Sequence, residues 1–148
     1  MPTNISTKTK FHPDPHWAKV PHGIWMREAT SVAVDKNDNV FVFNRGNKPV
    51  LVFNQLGDVI DMWGNDNPPD KVRIIRDPYG NASQFWDTWF NRPHAITIDH
   101  EDNVWLVDDN GHQIHKMSKT GKYLMTIGSG IPAPKQSGDM FHRPTDVA

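Results

Sequence analysis

The sequence predicts an all-β fold made of repeated four-stranded antiparallel sheets. Short runs of alternating β-branched and aromatic residues are bounded by Asp, Asn and Gly clusters, which is typical of strands joined by hairpin turns. Residues 30–64 also align without a gap with residues 94–128. No segment shows convincing helical periodicity over three turns. These observations indicate strands throughout and a unit that occurs twice.

The two copies of the unit share residues at turn positions as well as apolar ones. The identical pairs are Asp35/Asp99, Asp38/Asp102, Asn39/Asn103, Val40/Val104, Gly57/Gly121 and Gly64/Gly128. The apolar positions between them agree in kind. Because turn residues coincide together with the apolar pattern, we interpret the match as a structural repeat.

Each copy divides into four predicted strands. They read SVAVD or AITID, VFVF or VWLV, PVLVF or QIHKM, and VIDMWG or YLMTIG. The turns KNDN or HEDN and NQLGD or SKTGK carry residues that tolerate a left-handed backbone or bond their own main chain. The unit is therefore predicted to be a four-stranded meander. Repeated meanders of this kind are the blades of a β-propeller, which closes with roughly four to eight of them.

The repeat also predicts the organisation of the chain. The predicted parts are an N-terminal arm or lead-in strand over 1–29, a blade over 30–64, an insertion over 65–91, a blade over 92–128, and a linker with the start of a third blade over 129–148. The last stretch, FHRPTDVA, repeats FNRPHAIT and stops inside a first strand. We therefore expect further blades that this chain does not contain.

The insertion is rich in Pro, Asp and Asn, which predicts a loop. Its aromatic run ends in Trp86, Trp89 and Phe90, side chains too apolar to remain in water. We expect them to pack over the junction between the blades. The alternative is a platform on which a substrate stacks.

Composition excludes several classes of function. The chain has 148 residues with 36% hydrophobic and 22% charged residues, a formal charge of −1 and no cysteine. Without a Lys/Arg block, neither nucleic acid nor an anionic membrane is an expected partner. Without thiolates, a metal must be bound by His, carboxylates or backbone oxygens. The N-terminus lacks the apolar segment of a secretory signal and no run is long enough to span a membrane, so the cytoplasm is the default location.

Blade geometry places two candidate residues at one end of a central channel. The first strand of a blade is innermost, and the end of its second strand lies at the same end as the start of the first. His94, in NRPHAITID, is therefore expected at the channel mouth, and Arg45, in VFNRGN, at the same end. Thr30 and Thr145 take the place of His94 in the other copies, so the fold does not require an imidazole there.

Three motifs together carry a resemblance to a known family. The combination SVAVD...NVFVFNRG..PVLVF, RPHAITID..DNVWLVDD...HQIHKM and F.RPTDVA resembles the NHL-repeat six-bladed propellers of the peptidyl-α-hydroxyglycine α-amidating lyase family, its bacterial members above all. The resemblance extends from about Ser31 to Ala148 and covers about two blades of the expected six. NHL repeats occur in many scaffolds, whereas the NRG, RPH and RPTDVA motifs are more specific.

The resemblance implies cofactors and site residues. It implies a channel zinc bound by three histidines, the first matching His94 and the others lying in later blades. It implies a calcium ion bound partly by the backbone carbonyls of Val32 and Ile96, with a carboxylate from a missing blade. Arg45 matches the active-site arginine, and the family's catalytic tyrosine would follow later in the chain.

The implied function is a metal-dependent lyase that cleaves an N–C bond to give an amide and glyoxylate, or a close relative acting on another small substrate. The partner would be a small molecule or peptide in the central channel, and this chain alone is expected to be inactive. Relatives of this kind are often exported. One alternative is a non-catalytic NHL propeller that binds proteins or peptides. Another is a calcium-dependent, lactonase-like propeller hydrolase.

Overall fold

The structure is a computed structural model that describes residues 10–64, 74–76, 82–84, 90–134, 138 and 140–148. Within these ranges the chain is all-β. The strands are β1 (Ser31–Val34), β2 (Val40–Phe43), β3 (Val50–Phe53), β4 (Val59–Trp63), β5 (Ile74–Arg76), β6 (Ala82–Gln84), β7 (Pro93–Ile98), β8 (Asn103–Asp108), β9 (Gln113–Ser118) and β10 (Tyr123–Ile127). The described residues contain no helix, and hence none that could span a membrane.

The strands form two four-stranded antiparallel sheets and one small hairpin. The first sheet has the order β1-β2-β3-β4, and the second contains β7, β8, β9 and β10 in the same sequential arrangement. This confirms the predicted fold class and is consistent with partial β-propeller blades. β5 pairs with β6 inside the segment that the sequence predicted as a loop. The short β-branched run that forms β5 is hidden in the sequence by its Pro- and Asp-rich flanks.

The shared Asp and Asn residues build the same turn in both sheets. Asp35 Oδ1 accepts hydrogen bonds from the main-chain N–H groups of Asn37 (2.8 Å) and Asn39 (2.9 Å), and Asp99 binds the corresponding groups in the second sheet. Asp38 and Asp102 adopt left-handed backbones with φ of 60° and 63°. Asp and Asn suit such turns because their side chains bond the local main chain. The turn therefore explains the first three identities of the repeat.

The carboxylate of Asp99 remains ionised well into the acid range. Burial raises its pKa, but hydrogen bonds from the Trp105 indole, the Asn103 main chain and Lys116 together lower the pKa below the ordinary value. Its contribution to stability is therefore present above the ordinary aspartate pKa and is lost only as the pH falls through the lowered one. At neutral pH the turn is held by a charged acceptor.

The main core lies between the two sheets. Its buried members are Phe41, Phe43, Val50, Val52, Trp63, Phe90, Ile96, Val104, Leu106 and Met117. The Phe90 ring meets Phe43 edge to face, with ring centroids 4.9 Å apart. Phe90, from the end of the insertion, thus packs at the junction between the sheets, whereas Trp86 and Trp89 lie outside the described residues.

The N-terminal arm covers the opposite face of the first sheet. Trp17, Ala18, Val20 and Ile24 pack against a second buried group of Val42, Leu51 and Phe53. The Lys19 N–H donates to the Gly57 carbonyl over 2.9 Å. Since successive residues of a strand point to opposite faces, β2 and β3 bury both faces, one against the second sheet and one against the arm.

The first strands of successive units lie side by side. β7 lies beside β1. On the other side of β7 lies the start of the third unit, residues 141–148, where Thr97 Oγ1 donates to the Val147 carbonyl over 3.0 Å. Val147 also packs against a small core of Ala95, Val107 and Ile114. The starts of three successive first strands are therefore brought to one end of the molecule.

Candidate functional site

Arg45 connects the first sheet with the start of β7. Its main-chain N–H donates to the Arg27 carbonyl over 2.8 Å, and its Nε donates to the Pro93 carbonyl over 3.2 Å. Its guanidinium also forms an ion pair with Glu28, and the Arg45 side chain is 27% exposed. The structure therefore brings Arg45 beside the residue that precedes His94.

His94 lies at the start of β7 and is half-buried. Its Nδ1 is 2.9 Å from the Thr145 carbonyl oxygen. Because a carbonyl oxygen only accepts, Nδ1 carries the proton of this hydrogen bond. In the neutral imidazole the lone pair is then on Nε2, which is the arrangement that orients metal-binding histidines. His94 is thus suited to donate one nitrogen to a ligand.

The carbonyls of Val32 and Ile96 face away from the neighbouring strand of their own sheet. The Asp35 N–H bonds the Asn39 carbonyl, and hydrogen-bonded pairs alternate with non-hydrogen-bonded pairs along an antiparallel ladder. Asp35 and Asn39 thus form a hydrogen-bonded pair. Three residues earlier in the chain, Val32 lies opposite Val42 in a non-hydrogen-bonded pair. The same count from Asp99 and Asn103 applies to Ile96. Both carbonyls are therefore turned toward the inner edges of β1 and β7, and their binding of calcium stays a prediction.

The described residues do not form a complete metal site. No three His, Asp or Glu side chains among them converge in a way that could hold a metal ion. His94 and the two carbonyls lie in the first strands of their units, as the predicted sites require. A zinc or calcium ion here would therefore need further ligands from outside the described part of the chain.

Asp108 organises the start of β7. Its buried carboxylate accepts main-chain hydrogen bonds from Asn91 (2.6 Å), Arg92 (2.7 Å) and Gly111 (2.9 Å). The bonds from Asn91 and Arg92 connect the end of β8 to the segment that leads into β7. Asp108 is therefore a structural residue of the site.

Asp109 forms ion pairs that the sequence reasoning missed. Its buried carboxylate lies 2.9 Å from Arg143 and 3.5 Å from Arg92. In the repeat, Asp109 aligns with Arg45 and Arg92 aligns with Glu28. The same two positions thus carry an ion pair in both units with the charges exchanged. Opposite charges at aligned positions were the signal from which these pairs could have been found.

His112 links the second sheet to the start of the third unit. Its Nδ1 accepts a hydrogen bond from the Arg143 main-chain N–H over 3.0 Å, and its ring lies 5.7 Å from that of His142. Burial lowers the pKa of His112, and so do the neighbouring His142 and Arg143. The carboxylates of Asp108 and Asp109 raise the pKa but do not outweigh these effects. The neutral ring that accepts this hydrogen bond is therefore favoured.

Acid is expected to loosen the contact of His112 with the third unit. Since the folded pKa lies below the ordinary value of 6.5, the stability contributed by neutral His112 is full above that value and is lost as the pH falls through the lowered pKa. The exchange protection of the Arg143 amide should thus be constant at pH values above 6.5 and fall as the pH is lowered below 6.5. In His112→Asn, which tolerates the left-handed backbone at φ 56°, this pH dependence should disappear. Equal pH dependence in both proteins would contradict the assignment.

Comparisons with known proteins identify amidating enzymes as homologues. No protein-family model matches the chain. Peptidyl-alpha-hydroxyglycine alpha-amidating lyase 1 of Drosophila melanogaster is 30% identical over 86% of this chain. Lyase 2 of the same organism is 28% identical over 90%. Peptidyl-glycine alpha-amidating monooxygenase of Mus musculus is 27% identical over 82%.

The chain spans only part of each of these relatives. It covers 24% of the first Drosophila lyase, 33% of the second and 13% of the mouse monooxygenase. Among solved structures, a protein of unknown function from Bacteroides caccae matches with a TM-score of 0.27 and 12% identity, over 78% of this chain and 50% of that chain. So low a score supports no argument about fold. By sequence, the chain is similar over most of its length to longer proteins named as amidating lyases and monooxygenases.

Proposed function

We propose that this chain is part of a metal-dependent lyase of the peptidyl-α-hydroxyglycine amidating type. One observation carries the proposal: Arg45 in the NRG motif bonds the Pro93 carbonyl in the RPH motif, so the candidate arginine and His94 share one end of the junction. The names of its homologues support the same activity.

The reaction divides a peptidyl-α-hydroxyglycine into a peptide amide and glyoxylate. The bond between the amide nitrogen and the α-carbon breaks, and its electron pair stays on nitrogen. The hydroxyl group loses its proton and becomes the aldehyde of glyoxylate, while nitrogen gains one proton. The site must therefore bind a carboxylate, promote loss of a hydroxyl proton and hold the extended peptide in place.

Arg45 has the chemistry to bind the substrate carboxylate. A guanidinium presents N–H donors in a planar fork that matches a carboxylate. Arg45 is partly buried, and the Pro93 carbonyl and Glu28 hold it in place. A fixed, partly desolvated cation binds an anion more strongly than a solvated one. We assign Arg45 to recognition of the glycine-derived carboxylate.

His94 has the orientation of a zinc ligand, and Val32 and Ile96 offer oxygen ligands for calcium. Zinc, when bound, would lower the pKa of the substrate hydroxyl. The Thr145 carbonyl holds His94 Nδ1–H and leaves Nε2 for the metal. Backbone carbonyls are ordinary calcium ligands. In this assignment the chain contributes one nitrogen and two oxygens, and the remaining ligands come from elsewhere in the protein.

The test is release of glyoxylate from a peptidyl-α-hydroxyglycine by the complete gene product loaded with zinc and calcium. Arg45→Ala should lower kcat/KM about a hundredfold, since it removes a charged donor from the site. Lys122→Ala, which removes an exposed cation on the turn before β10, should leave it unchanged. Failure of the metal-loaded protein to release glyoxylate would contradict the proposal and favour a non-catalytic binding propeller.

A further inference from the structure

Both units carry an ion pair at the same two positions, but with exchanged charges. In the second unit the cation, Arg92, precedes the first strand and the anion, Asp109, follows the second strand. In the first unit Glu28 precedes the first strand and Arg45 follows the second. The fold therefore accepts the cation at either of the two positions. In the first unit the cation follows the second strand, which puts the guanidinium beside the RPH motif.

We propose that Glu28 is the positioning residue for Arg45 and fixes the guanidinium at the junction for a ligand carboxylate. The inference rests on the proposed function insofar as that carboxylate belongs to the substrate. We call Glu28, Arg45 and the Pro93 carbonyl the arginine clamp.

The clamp holds Arg45 at several points. Its main chain bonds the Arg27 carbonyl, its Nε bonds the Pro93 carbonyl, and its Nη1 pairs with Glu28. An arginine side chain has large rotamer freedom, and fixing it before a ligand arrives removes that cost from binding. Among the described residues no group bonds Nη2. The clamp therefore orients the guanidinium and leaves donors for a ligand.

The backbone at Glu28 supports a specific use of its carboxylate. Glu28 has a φ of 43°, in the left-handed region that glycine and asparagine adopt more easily than glutamate. Strained residues of this kind persist where the surrounding structure holds them, and they cluster at functional sites. The hydrogen bond and charge of Arg45 hold the pKa of Glu28 below its ordinary value, so it is ionised at neutral pH.

The corresponding pair in the second unit differs in a way that separates the two roles. Asp109 is buried and pairs with both Arg92 and Arg143, so it joins the second unit to the third. Glu28 is 60% exposed, and within the described part of the chain it pairs with Arg45. The Asp109 pairs stabilise a junction between units. The Glu28 pair controls the orientation of the Arg45 guanidinium, which remains accessible.

The test compares Glu28→Gln with wild type in the complete gene product. KM for a peptidyl-α-hydroxyglycine should rise about threefold with kcat changed little, because an exposed ion pair contributes modestly and acts here on binding. Glu101→Gln makes the same chemical change in an exposed glutamate at the turn between β7 and β8 and should leave KM unchanged. The exchanged pair E28R/R45E should lose activity, since it removes the bond to the Pro93 carbonyl and the guanidinium has moved.

A second measurement in the ligand-free protein separates this inference from the proposed function. The Arg45 Nε proton should exchange with solvent faster in Glu28→Gln than in wild type, as observed by ¹⁵N NMR. Unchanged exchange would overturn the clamp whatever the kinetics. Unchanged or lower KM in Glu28→Gln would overturn the positioning role, since a lower KM means that Glu28 competes with the ligand. Absence of glyoxylate from wild type would refute the lyase alone, and the exchange rate would still decide on the clamp.

Discussion

Replacing Asp108 with alanine is expected to lower the free energy of unfolding by about 3 kcal/mol. The buried carboxylate accepts main-chain hydrogen bonds from Asn91, Arg92 and Gly111. Without it, these N–H groups lose a charged acceptor at a place where water has little access, and each unsatisfied donor costs free energy. The start of β7 should lose its fixed position, and with it the orientation of His94.

Chemical denaturation of Asp108→Ala and wild type measures this effect. Asp146→Ala is the matched control, because Asp146 is exposed and, among the residues that the structure describes, bonds only the main chain of its neighbour Val147. The control should change stability by less than about 0.5 kcal/mol. A similarly small loss in Asp108→Ala would mean that the start of β7 is held by other contacts.

Replacing His94 with alanine is expected to remove zinc from the complete protein. His94 is the one imidazole at a first-strand start among the three units, since Thr30 and Thr145 take that place in the others. Its Nδ1 is bonded to the Thr145 carbonyl, which leaves Nε2 for a metal. Loss of a residue that only orients a metal ligand already weakens metal binding by about 10- to 100-fold. Loss of His94 itself should therefore weaken zinc binding by about a hundredfold or more.

The sequence predicted the sheets because the turns need particular residues. Asp35 and Asp99 bond the main chain of their own turns, and Gly57 and Gly121 have φ of 80° and 79°. Such backbone conformations restrict the residue type strongly, so the turns remain visible in two copies that have diverged elsewhere. Strand order then followed from short connections between neighbouring strands.

The burial of β2 and β3 on both faces could not be predicted in the same way. Alternation in a single sheet predicts one buried and one exposed face, but Phe53 is fully buried because Trp17 packs on it, with ring centroids 5.5 Å apart. That contact joins residues distant in sequence and has no local pattern. The hairpin of β5 and β6 was missed because its strands are short and its flanks are rich in turn formers.

The positions of Arg45 and His94 at one end of the sheets followed from strand direction, whereas their partners did not. Glu28 pairs with Arg45 from a left-handed backbone that no local pattern predicts, and Asp109 meets Arg143 only when the third unit lies against the second. Ion pairs between units depend on tertiary packing. The aligned opposite charges indicate only the pairs within a unit.

The zinc content of the complete gene product measures whether His94 is a metal ligand. Wild type, His94→Ala and His100→Ala would be dialysed against zinc-containing and then zinc-free buffer, and the metal measured by inductively coupled plasma mass spectrometry. His100 is an exposed histidine in the turn after β7 and provides the matched control. We expect about one zinc per chain in wild type and His100→Ala and almost none in His94→Ala. Equal zinc in all three proteins would contradict the assignment of His94 as a zinc ligand.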